Sequence, residues 1–318
     1  MFINFWYPVI RSADLGTTPQ RVRILAHNFV VFRDAAGKPA VLSDTCVHRG
    51  GSLSGGKCKE DGTVQCPYHG WRFNRDGQCT RIPSLGIQAK IPPRARVDAY
   101  PVEERYGLVH AFLGDLPEAE RPPIMPIFEA DDPNWRSHSI SFEVPYHYER
   151  SIENGLDPAH NEYVHTTHGH QGERESEYRV NELESAQNNA WGYGFMHTYD
   201  GTYGPNQMWT YIHISETKAM HQYLFEAPID ERTTRVFLVT FRNIVFFKGG
   251  LLAKLNNWLD RKITVRNLFV AGQDITVVKQ LQPVLTPPST ARELMMPADR
   301  IIAQYRDKLD EFERKGWR

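Results

Sequence analysis

The first hundred residues alternate short apolar runs with turn-forming residues, a pattern typical of an all-β domain. Residues 21–25 and 29–33 carry β-branched and aromatic side chains, and residues 34–38 (DAAGK) have the composition of a hairpin turn. A second turn signal lies at 73–78. Residues 1–8 are apolar, but no basic stretch precedes them and no cleavage-site pattern follows, so we predict a first strand and not a signal peptide.

The pattern changes after a proline-rich, acidic stretch at about residues 116–126, which fits a linker. We therefore predict domains at 1–120 and 121–318. In the second domain, residues 138–148 and four later aromatic-rich runs predict an antiparallel sheet that could curve around a pocket. The later runs are residues 191–199, 207–215, 219–226 and 235–241. A C-terminal helix packed on this sheet is predicted by apolar residues at three- and four-residue steps, which are Ile301, Ile302, Tyr305, Leu309 and Phe312.

Composition narrows the class of partner. The 37 basic and 38 acidic residues of this 318-residue chain leave no electrostatic footprint for nucleic acid, so a small molecule is the expected substrate. The apolar run 244–247 is interrupted by Lys248 and two glycines, well short of a membrane span. The sequence thus predicts a soluble, cytoplasmic protein.

Two cysteine–histidine pairs carry the first candidate chemistry. Cys46 and His48 have one residue between them, Cys66 and His69 have two, and 17 residues separate the pairs. Two thiolates and two imidazoles in this order are typical of a Rieske [2Fe–2S] cluster, a one-electron carrier. A structural zinc ion is the alternative, because two Cys and two His also close a tetrahedron, but zinc pairs more commonly have wider internal spacing.

Glycines beside both pairs favour the cluster, because they let the backbone approach inorganic sulfide and donate N–H hydrogen bonds. They lie in Arg49-Gly50-Gly51 and in Gly70-Trp71. The two remaining cysteines, Cys58 and Cys79, are expected to be small buried or half-buried residues without a disulfide.

Residues 154–165 carry the second candidate site. His160 and His165 are five apart, about 140° on an ideal helix, so a kink or an irregular segment must intervene if both face one metal. Asp157 before Pro158 has the pattern of an N-cap followed by the first helical residue, which would bring the Asp157 carboxylate close to the His160 imidazole.

Two imidazoles and one carboxylate form the facial triad of non-haem Fe(II) oxygenases. Asp274 is the preferred third ligand, and we predict that it lies at the start of a helix ending before Pro283. Asp260 and Glu293 are alternatives, although Asp260 is followed by two basic residues and is expected to be a solvated charge.

Other histidines and aromatic residues leave alternatives open. An isolated histidine pair is more often structural, and only the upstream cysteine–histidine motif favours iron here. His168 and His170 compete for the ligand role. Structural roles are expected for His110, His197, His213 and His221, although some of them could line the pocket. Four aromatic residues could either line a cavity or fill a core, namely Phe195, Trp209, Tyr211 and Phe225. The sequence alone does not distinguish these roles, because it does not give the strand register.

Nearly all of the chain resembles the oxygenase component of Rieske non-haem iron oxygenases. The motif C-x-H-x17-C-x2-H matches the two cysteine–histidine pairs, and N-x2-D-x2-H-x4-H matches Asn154, Asp157, His160 and His165. The resemblance is to the homotrimeric branch with vanillate and dicamba O-demethylases and phthalate oxygenase. It implies an α+β fold, in which an all-β Rieske domain precedes a helix-grip (START-like) catalytic domain with a curved antiparallel sheet and flanking helices.

The resemblance also implies the cofactors and partners. These are a [2Fe–2S] cluster on Cys46, His48, Cys66 and His69, mononuclear Fe(II) on His160, His165 and Asp274, and O2 as co-substrate. Catalytic roles fall to Asn154 and Asp157. Electrons would come from NAD(P)H only through a separate ferredoxin or flavin/iron–sulfur reductase, because the chain has no nucleotide or flavin motif of its own. In a head-to-tail homotrimer, Asp157 would link His69 of one chain to His160 of the next.

The sequence thus predicts a terminal oxygenase that hydroxylates or oxidatively demethylates an aromatic or polycyclic small molecule, in the catabolism of such compounds. A cis-dihydroxylating ring dioxygenase is the alternative within this class. An electron-transfer Rieske protein without oxygenase activity is the alternative of another class, but it needs only about the first hundred residues and has no use for the second metal site.

Overall fold

The chain divides into two units, one formed by Asn4–Ala119 and the other by Met1–Ile3 with Glu120–Arg318. The structure is a computed structural model. It describes residues 1–166, 178–181, 185–188, 195–213, 215, 217–244, 253–289 and 293–318. In these ranges, no helix is both long and apolar enough to cross a membrane.

The first unit is built from short antiparallel strands in three sheets. One sheet has the order β1-β11-β10, with β1 at Phe5–Arg11, β10 at Val102–Arg105 and β11 at Leu108–Leu113. The second has the order β2-β3-β4-β9, with these strands at Gln20–Ile24, His27–Arg33, Pro39–Ser43 and Ala99–Tyr100. The third runs from β5 to β8, with strands at Lys57–Cys58, Val64–Gln65, Arg72–Phe73 and Cys79–Arg81.

The predicted hairpin turn joins β3 to β4. Asp34 closes it, because its carboxylate accepts the backbone N–H groups of Ala36 and Lys38 at 2.9 Å, and Gly37 takes the left-handed φ of 75° that the turn requires. The all-β prediction for this half is confirmed.

Cysteines take part in the core of the first unit. Cys46, Cys66 and Cys79 pack in one apolar cluster with β-strand residues such as Val30 and Phe73. Cys58 is half-buried, and all four cysteines are free. The expected burial of Cys58 and Cys79 is therefore confirmed.

The second unit has a sheet of seven strands within the described ranges, each antiparallel to its neighbours. Their order is β12-β18-β17-β16-β15-β14-β13. The strands are β12 at Arg136–Val144, β13 at Tyr178–Asn181, β14 at Ser185–Asn188, β15 at Phe195–Thr198, β16 at Gln207–His213, β17 at Ala219–Pro228 and β18 at Thr234–Arg242. The antiparallel sheet was predicted, whereas β13 and β14 were not. Residues 191–194 of one predicted run lie outside the described residues.

Four α-helices flank this sheet in the described ranges, and they confirm the predicted fold class. They are α1 at Tyr148–Leu156, α2 at His160–Val164, α3 at Ala253–Val278 and α4 at Arg300–Arg314. The predicted C-terminal helix is α4, and its Arg306 donates to Glu153 of α1 at 2.6 Å.

Two predicted helix starts were wrong. Asp157 does not begin a helix but follows the last residue of α1 as its C-cap, and the next helix begins at His160. Asp274 lies near the end of α3 and not at its start, because the helix begins at Ala253. In both cases the helix boundary is set by packing across the second unit, which local capping signals do not report.

The prediction that Asp260 is a solvated charge was also wrong. Its residue exposure is 8%, and its carboxylate pairs with Arg136 at 2.6 Å and with Arg242 at 2.8 Å. Glu293, the other alternative ligand, pairs with Arg306 at 2.7 Å. These carboxylates therefore neutralise guanidinium groups.

We predict that Asp260→Asn lowers the free energy of unfolding by about 3–5 kcal/mol, because it leaves the buried Arg242 without its counter-charge. Urea denaturation followed by tryptophan fluorescence measures the change. Glu143→Gln is the control, since Glu143 is half-exposed where it pairs with Arg235 at 2.6 Å, and its loss should cost less than about 1 kcal/mol. Equal effects of the two substitutions would contradict the prediction.

Candidate functional site

The two cysteine–histidine loops of the first unit share one backbone arrangement. The N–H of Gly50 donates to the carbonyl of Cys46 at 2.9 Å, and the N–H of Gly70 donates to the carbonyl of Cys66 at 3.1 Å. Both glycines are left-handed, with φ of 71° and 73°. Each loop thus turns back tightly after its cysteine, a path for which glycine is suited.

The four candidate cluster ligands divide by exposure. Cys46 and Cys66 are 2% exposed, whereas His48 and His69 are exposed, with ring centroids 4.6 Å apart. Burial raises the pKa of the Cys46 thiol to about 11, so cluster binding must displace a thiol proton. Trp71 stacks on His48 at 4.6 Å and supports the exposed ring. The sulfur side of the site is therefore in the core and the imidazole side is at the surface.

The spacing of these ligands bears on the zinc alternative. A single zinc ion needs its four ligand atoms close together around one centre. Throughout the described part of the chain, three such atoms lie within 4.8 Å of one another at one place, formed by His160, His165 and Asp274. The first-unit ligands do not form such a group, which favours a two-iron cluster over zinc.

The second-unit group joins two helices and the residue that follows one of them. His160 begins α2, His165 follows it in an extended conformation, and Asp274 comes from α3. The Nε2 atoms of the two imidazoles are 3.3 Å apart. Asp274 Oδ1 lies 3.6 Å from the first and 3.4 Å from the second. The extended backbone at His165 supplies the irregularity that the five-residue spacing required.

Both imidazoles are held from their far side. His160 Nδ1 contacts the backbone carbonyl of Asp157, and His165 Nδ1 lies 3.2 Å from Oε1 of Gln273. The Gln273 amide is oriented in turn by its donation to Thr166 Oγ1 at 2.7 Å. These acceptors place the proton on Nδ1, so the Nε2 lone pairs face each other and can both bind one metal ion.

Asp157 serves the site differently from the sequence prediction. Its carboxylate accepts the N–H of Ala159 at 2.8 Å, while the contact with His160 uses its backbone carbonyl. Burial raises the pKa of Asp157 and lowers that of His160. The lowered pKa keeps the imidazole neutral, as a metal ligand must be.

Asn154 and Gln273 are the side chains that orient ligands here. Asn154 Nδ2 donates to Asp274 Oδ1 at 3.1 Å, a hydrogen bond that joins α1 to α3. Gln273 was missed, because an amide next to Asp274 has no spacing relation to His165 that a sequence pattern could reveal.

A cavity of about 480 Å³ extends from this group. Alternate residues of β16, β17 and β18 line it together with α1 and α3, because successive side chains of a strand point to opposite faces. The apolar lining residues include Phe142, Val144, Met208, Ile212, Met220, Leu224, Val236, Leu238, Ile263 and Val270. The cavity is thus mainly apolar, with the candidate metal ligands at its wall.

The pairing register of the strands decides, for most of the aromatic residues left open by the sequence, whether they line the cavity. Trp209, Tyr211 and Phe225 occupy the strand positions between the cavity-lining ones and do not line the cavity. The side chain of Phe195 lies outside the described residues, as do His168, His170 and the side chain of His197.

On the other face of the sheet, His221 hydrogen-bonds Glu129 at 2.5 Å and stacks on Tyr211. His213 packs beside it.

We predict that Gln273→Leu lowers the affinity for Fe(II) about 10- to 100-fold, because His165 loses the acceptor that fixes its ring and tautomer. Anaerobic titration with Fe(II) measures the affinity. Gln280→Leu is a matched control, because Gln280 lies just beyond the same helix and its side-chain amide donates to the backbone carbonyl of Thr276, which is not a candidate ligand. The prediction fails if both variants bind Fe(II) like the unmodified protein.

We predict that Gly51→Ala greatly reduces cluster incorporation. A Cβ at this position would lie 3.0 Å from Cys66 Sγ and 3.3 Å from Tyr68 Cβ, so the second ligand loop would have to shift. Visible absorption and labile-sulfide content report the loss. Gly16→Ala is the control, since a Cβ there meets nothing within 4 Å. A full complement of sulfide in the Gly51 variant would contradict the prediction.

Comparison with protein families assigns both units. A model described as the Rieske [2Fe-2S] domain matches residues 5–98, which include all four cysteine–histidine ligands. A model described as the vanillate O-demethylase oxygenase C-terminal domain matches residues 197–315, which include Asp274. His160 and His165 fall between the two matches, so their assignment rests on geometry.

The chain is also similar to curated proteins. It is 38% identical over 179 residues to the phenoxybenzoate dioxygenase subunit alpha of Ectopseudomonas oleovorans, an alignment that covers 52% of this chain and 43% of that protein. The chain spans less than half the length of the curated relatives it matches.

Solved structures share the fold over almost the whole chain. Pseudomonas putida CBB5 NdmA has a TM-score of 0.77 at 23% identity, with 98% of this chain and 90% of that chain covered. Dicamba monooxygenase has a TM-score of 0.76 at 20% identity, with 98% of each chain covered. The chain belongs to the Rieske oxygenases, in which a Rieske [2Fe–2S] domain is joined to an oxygenase domain, a family that uses mononuclear iron and O2.

Proposed function

We propose that this protein is a terminal oxygenase that uses O2 and electrons from a separate reductase to hydroxylate, or oxidatively demethylate, an aromatic or polycyclic small molecule. One observation carries the proposal: the candidate ligand atoms of His160, His165 and Asp274 lie within 4.8 Å of one another at the wall of a mainly apolar cavity. A metal held there would face a space suited to an apolar ring system.

The residues of the site fit Fe(II). Two neutral imidazole nitrogens and one carboxylate oxygen make the donor set that non-haem iron oxygenases use, with positions left for O2 and water. Bound iron would supply the activation of O2 beside the substrate. His160, His165 and Asp274 would hold the ion, and Asn154 would keep Asp274 Oδ1 in place through its 3.1 Å hydrogen bond. The apolar lining would exclude water and position the C–H bond to be oxidised.

The first unit contains the residues that would bind the electron-carrying cluster. In our proposal Cys46 and Cys66 bind the cluster from the core, and His48 and His69 bind it from the surface. Exposed imidazoles leave that side of the cluster accessible to a donor or an acceptor. A separate ferredoxin or flavin/iron–sulfur reductase would be the donor, and the acceptor would be the iron of a neighbouring chain in a homotrimer, reached through Asp157. The free cysteines support a cytoplasmic location.

Monooxygenation is the favoured reaction because of the resemblance to the O-demethylase branch. Ring dihydroxylation is the second candidate, since the name of one similar protein is phenoxybenzoate dioxygenase. Product analysis separates the two reactions, because a cis-diol carries new hydroxyl groups on adjacent carbons. A screen of small molecules by oxygen uptake with a surrogate reductase tests for oxygenase activity itself.

We predict that His160→Ala lowers the iron content from about three to about two atoms per chain and abolishes oxygen-dependent turnover, while the visible absorption of the cluster remains. The reason is that the substitution removes one of three ligands of the lone iron and touches none of the cluster ligands. Iron and labile-sulfide assays and product analysis measure the outcome.

His213→Ala is the matched control, because His213 faces the side of the sheet away from the cavity. It should retain all of the iron and the turnover. Turnover by the His160 variant, or two irons per chain in the unmodified protein after full reconstitution, would count against the oxygenase and favour the electron carrier.

A further inference from the structure

Glu226 on β17 is a buried carboxyl group that lines the cavity with one oxygen unused. It is 1% exposed. Its Oε1 accepts a hydrogen bond from Ser151 Oγ at 2.8 Å, whereas its Oε2 has no hydrogen-bond partner. A buried polar atom without a partner is costly, so its retention in a cavity wall indicates that a bound molecule supplies the partner.

Ser151 places Glu226 near the metal ligands. Ser151 lies three residues before Asn154 on α1, so the two side chains share one face of the helix, roughly 5–6 Å apart at their Cβ atoms. Asn154 in turn donates to Asp274. Glu226 thus lies about one helical turn from the group that orients the candidate iron ligand.

The surroundings keep Glu226 neutral. Burial raises its pKa to about 8, and the opposing influence is the hydrogen bond from Ser151. Arg242 also lines the cavity, but its guanidinium binds Asp260. Because Ser151 donates to Oε1, that atom acts as the carbonyl oxygen, and the proton belongs on Oε2. Oε2–H is then a donor that points to no protein acceptor.

We propose that Glu226 Oε2 donates a hydrogen bond to the substrate, which is therefore a neutral, mainly apolar ring system with a carbonyl oxygen or a similar acceptor. This inference rests on the proposed function and names the substrate class. This hydrogen bond fixes the position of one polar atom of the substrate. The apolar walls bind the substrate but do not orient it. It also discriminates against pure hydrocarbons, because these leave Oε2 without a partner.

The test compares two ligands that differ in one carbonyl group, 1-tetralone and tetralin. Calorimetry with the iron-loaded protein, anaerobic and without reductant, measures binding separately from turnover. We expect the unmodified protein to bind 1-tetralone about 5- to 10-fold more tightly than tetralin. Glu226→Leu should reduce this ratio to within about twofold, whereas Glu226→Gln should keep most of it because the amide still donates.

Glu143→Gln is the matched control on the same sheet, since Glu143 pairs with Arg235 outside the cavity, and its ligand ratio should not change.

Infrared spectra supply a readout that does not require the leucine variant to fold. The C=O stretch of bound 1-tetralone should shift to lower wavenumber than in hexane, and Glu226→Gln should change that shift. An unshifted stretch, or equal binding of the two ligands by the unmodified protein, overturns the proposal.

A third ligand tests the protonation state. If 1-aminotetralin, a cation, binds more tightly than 1-tetralone, then Glu226 is ionised and the assigned substrate class is wrong. The two proposals can fail separately. A protein that takes up no lone iron but prefers the ketone refutes the oxygenase alone, and an active oxygenase that binds both ligands equally refutes the role of Glu226 alone.

Discussion

The candidate active site depends on one constraint: each ligand side chain must be fixed on its far side so that its donor atom meets the other two. The carbonyl of Asp157, the amide of Gln273 and the amide of Asn154 supply these contacts for His160, His165 and Asp274. Without them the three donor atoms would be free to point elsewhere. Because α1, α2 and α3 each contribute to these contacts, the site forms only when the helices pack.

The sheet supplies the second requirement, which is an apolar cavity of defined shape. Strict alternation along β16, β17 and β18 sends aliphatic residues such as Leu224 into the cavity and aromatic residues such as Tyr223 to the other face. On that other face Tyr223 and His221 bind Glu129. The polar network thus stabilises the sheet from outside, which leaves the cavity side free for substrate.

Much of this arrangement was predictable where the signal is local. The cysteine–histidine spacing, the strands between turns and the segment from Asn154 to His165 all follow from short patterns. The helix around Asp274 does not follow from such a pattern, because polar and apolar residues are spread around α3 without a clear stripe, so its start at Ala253 left no signal. Asp260 was misjudged because its partners Arg136 and Arg242 are far away in sequence. The cavity lining required the strand register, which a single chain does not reveal.

Burial determines the protonation of the whole cavity wall, with opposite effects on acids and bases. It lowers the pKa of His160 and raises that of Glu226 and Tyr146, so all three groups are neutral near pH 7. Neutral imidazoles can bind a metal, and a neutral carboxyl group can donate a hydrogen bond. Among the candidate ligands, Asp274 supplies the carboxyl oxygen that a divalent cation would bind. A protonated Glu226 adds no charge to the cavity wall, so it is compatible with both metal binding and substrate recognition.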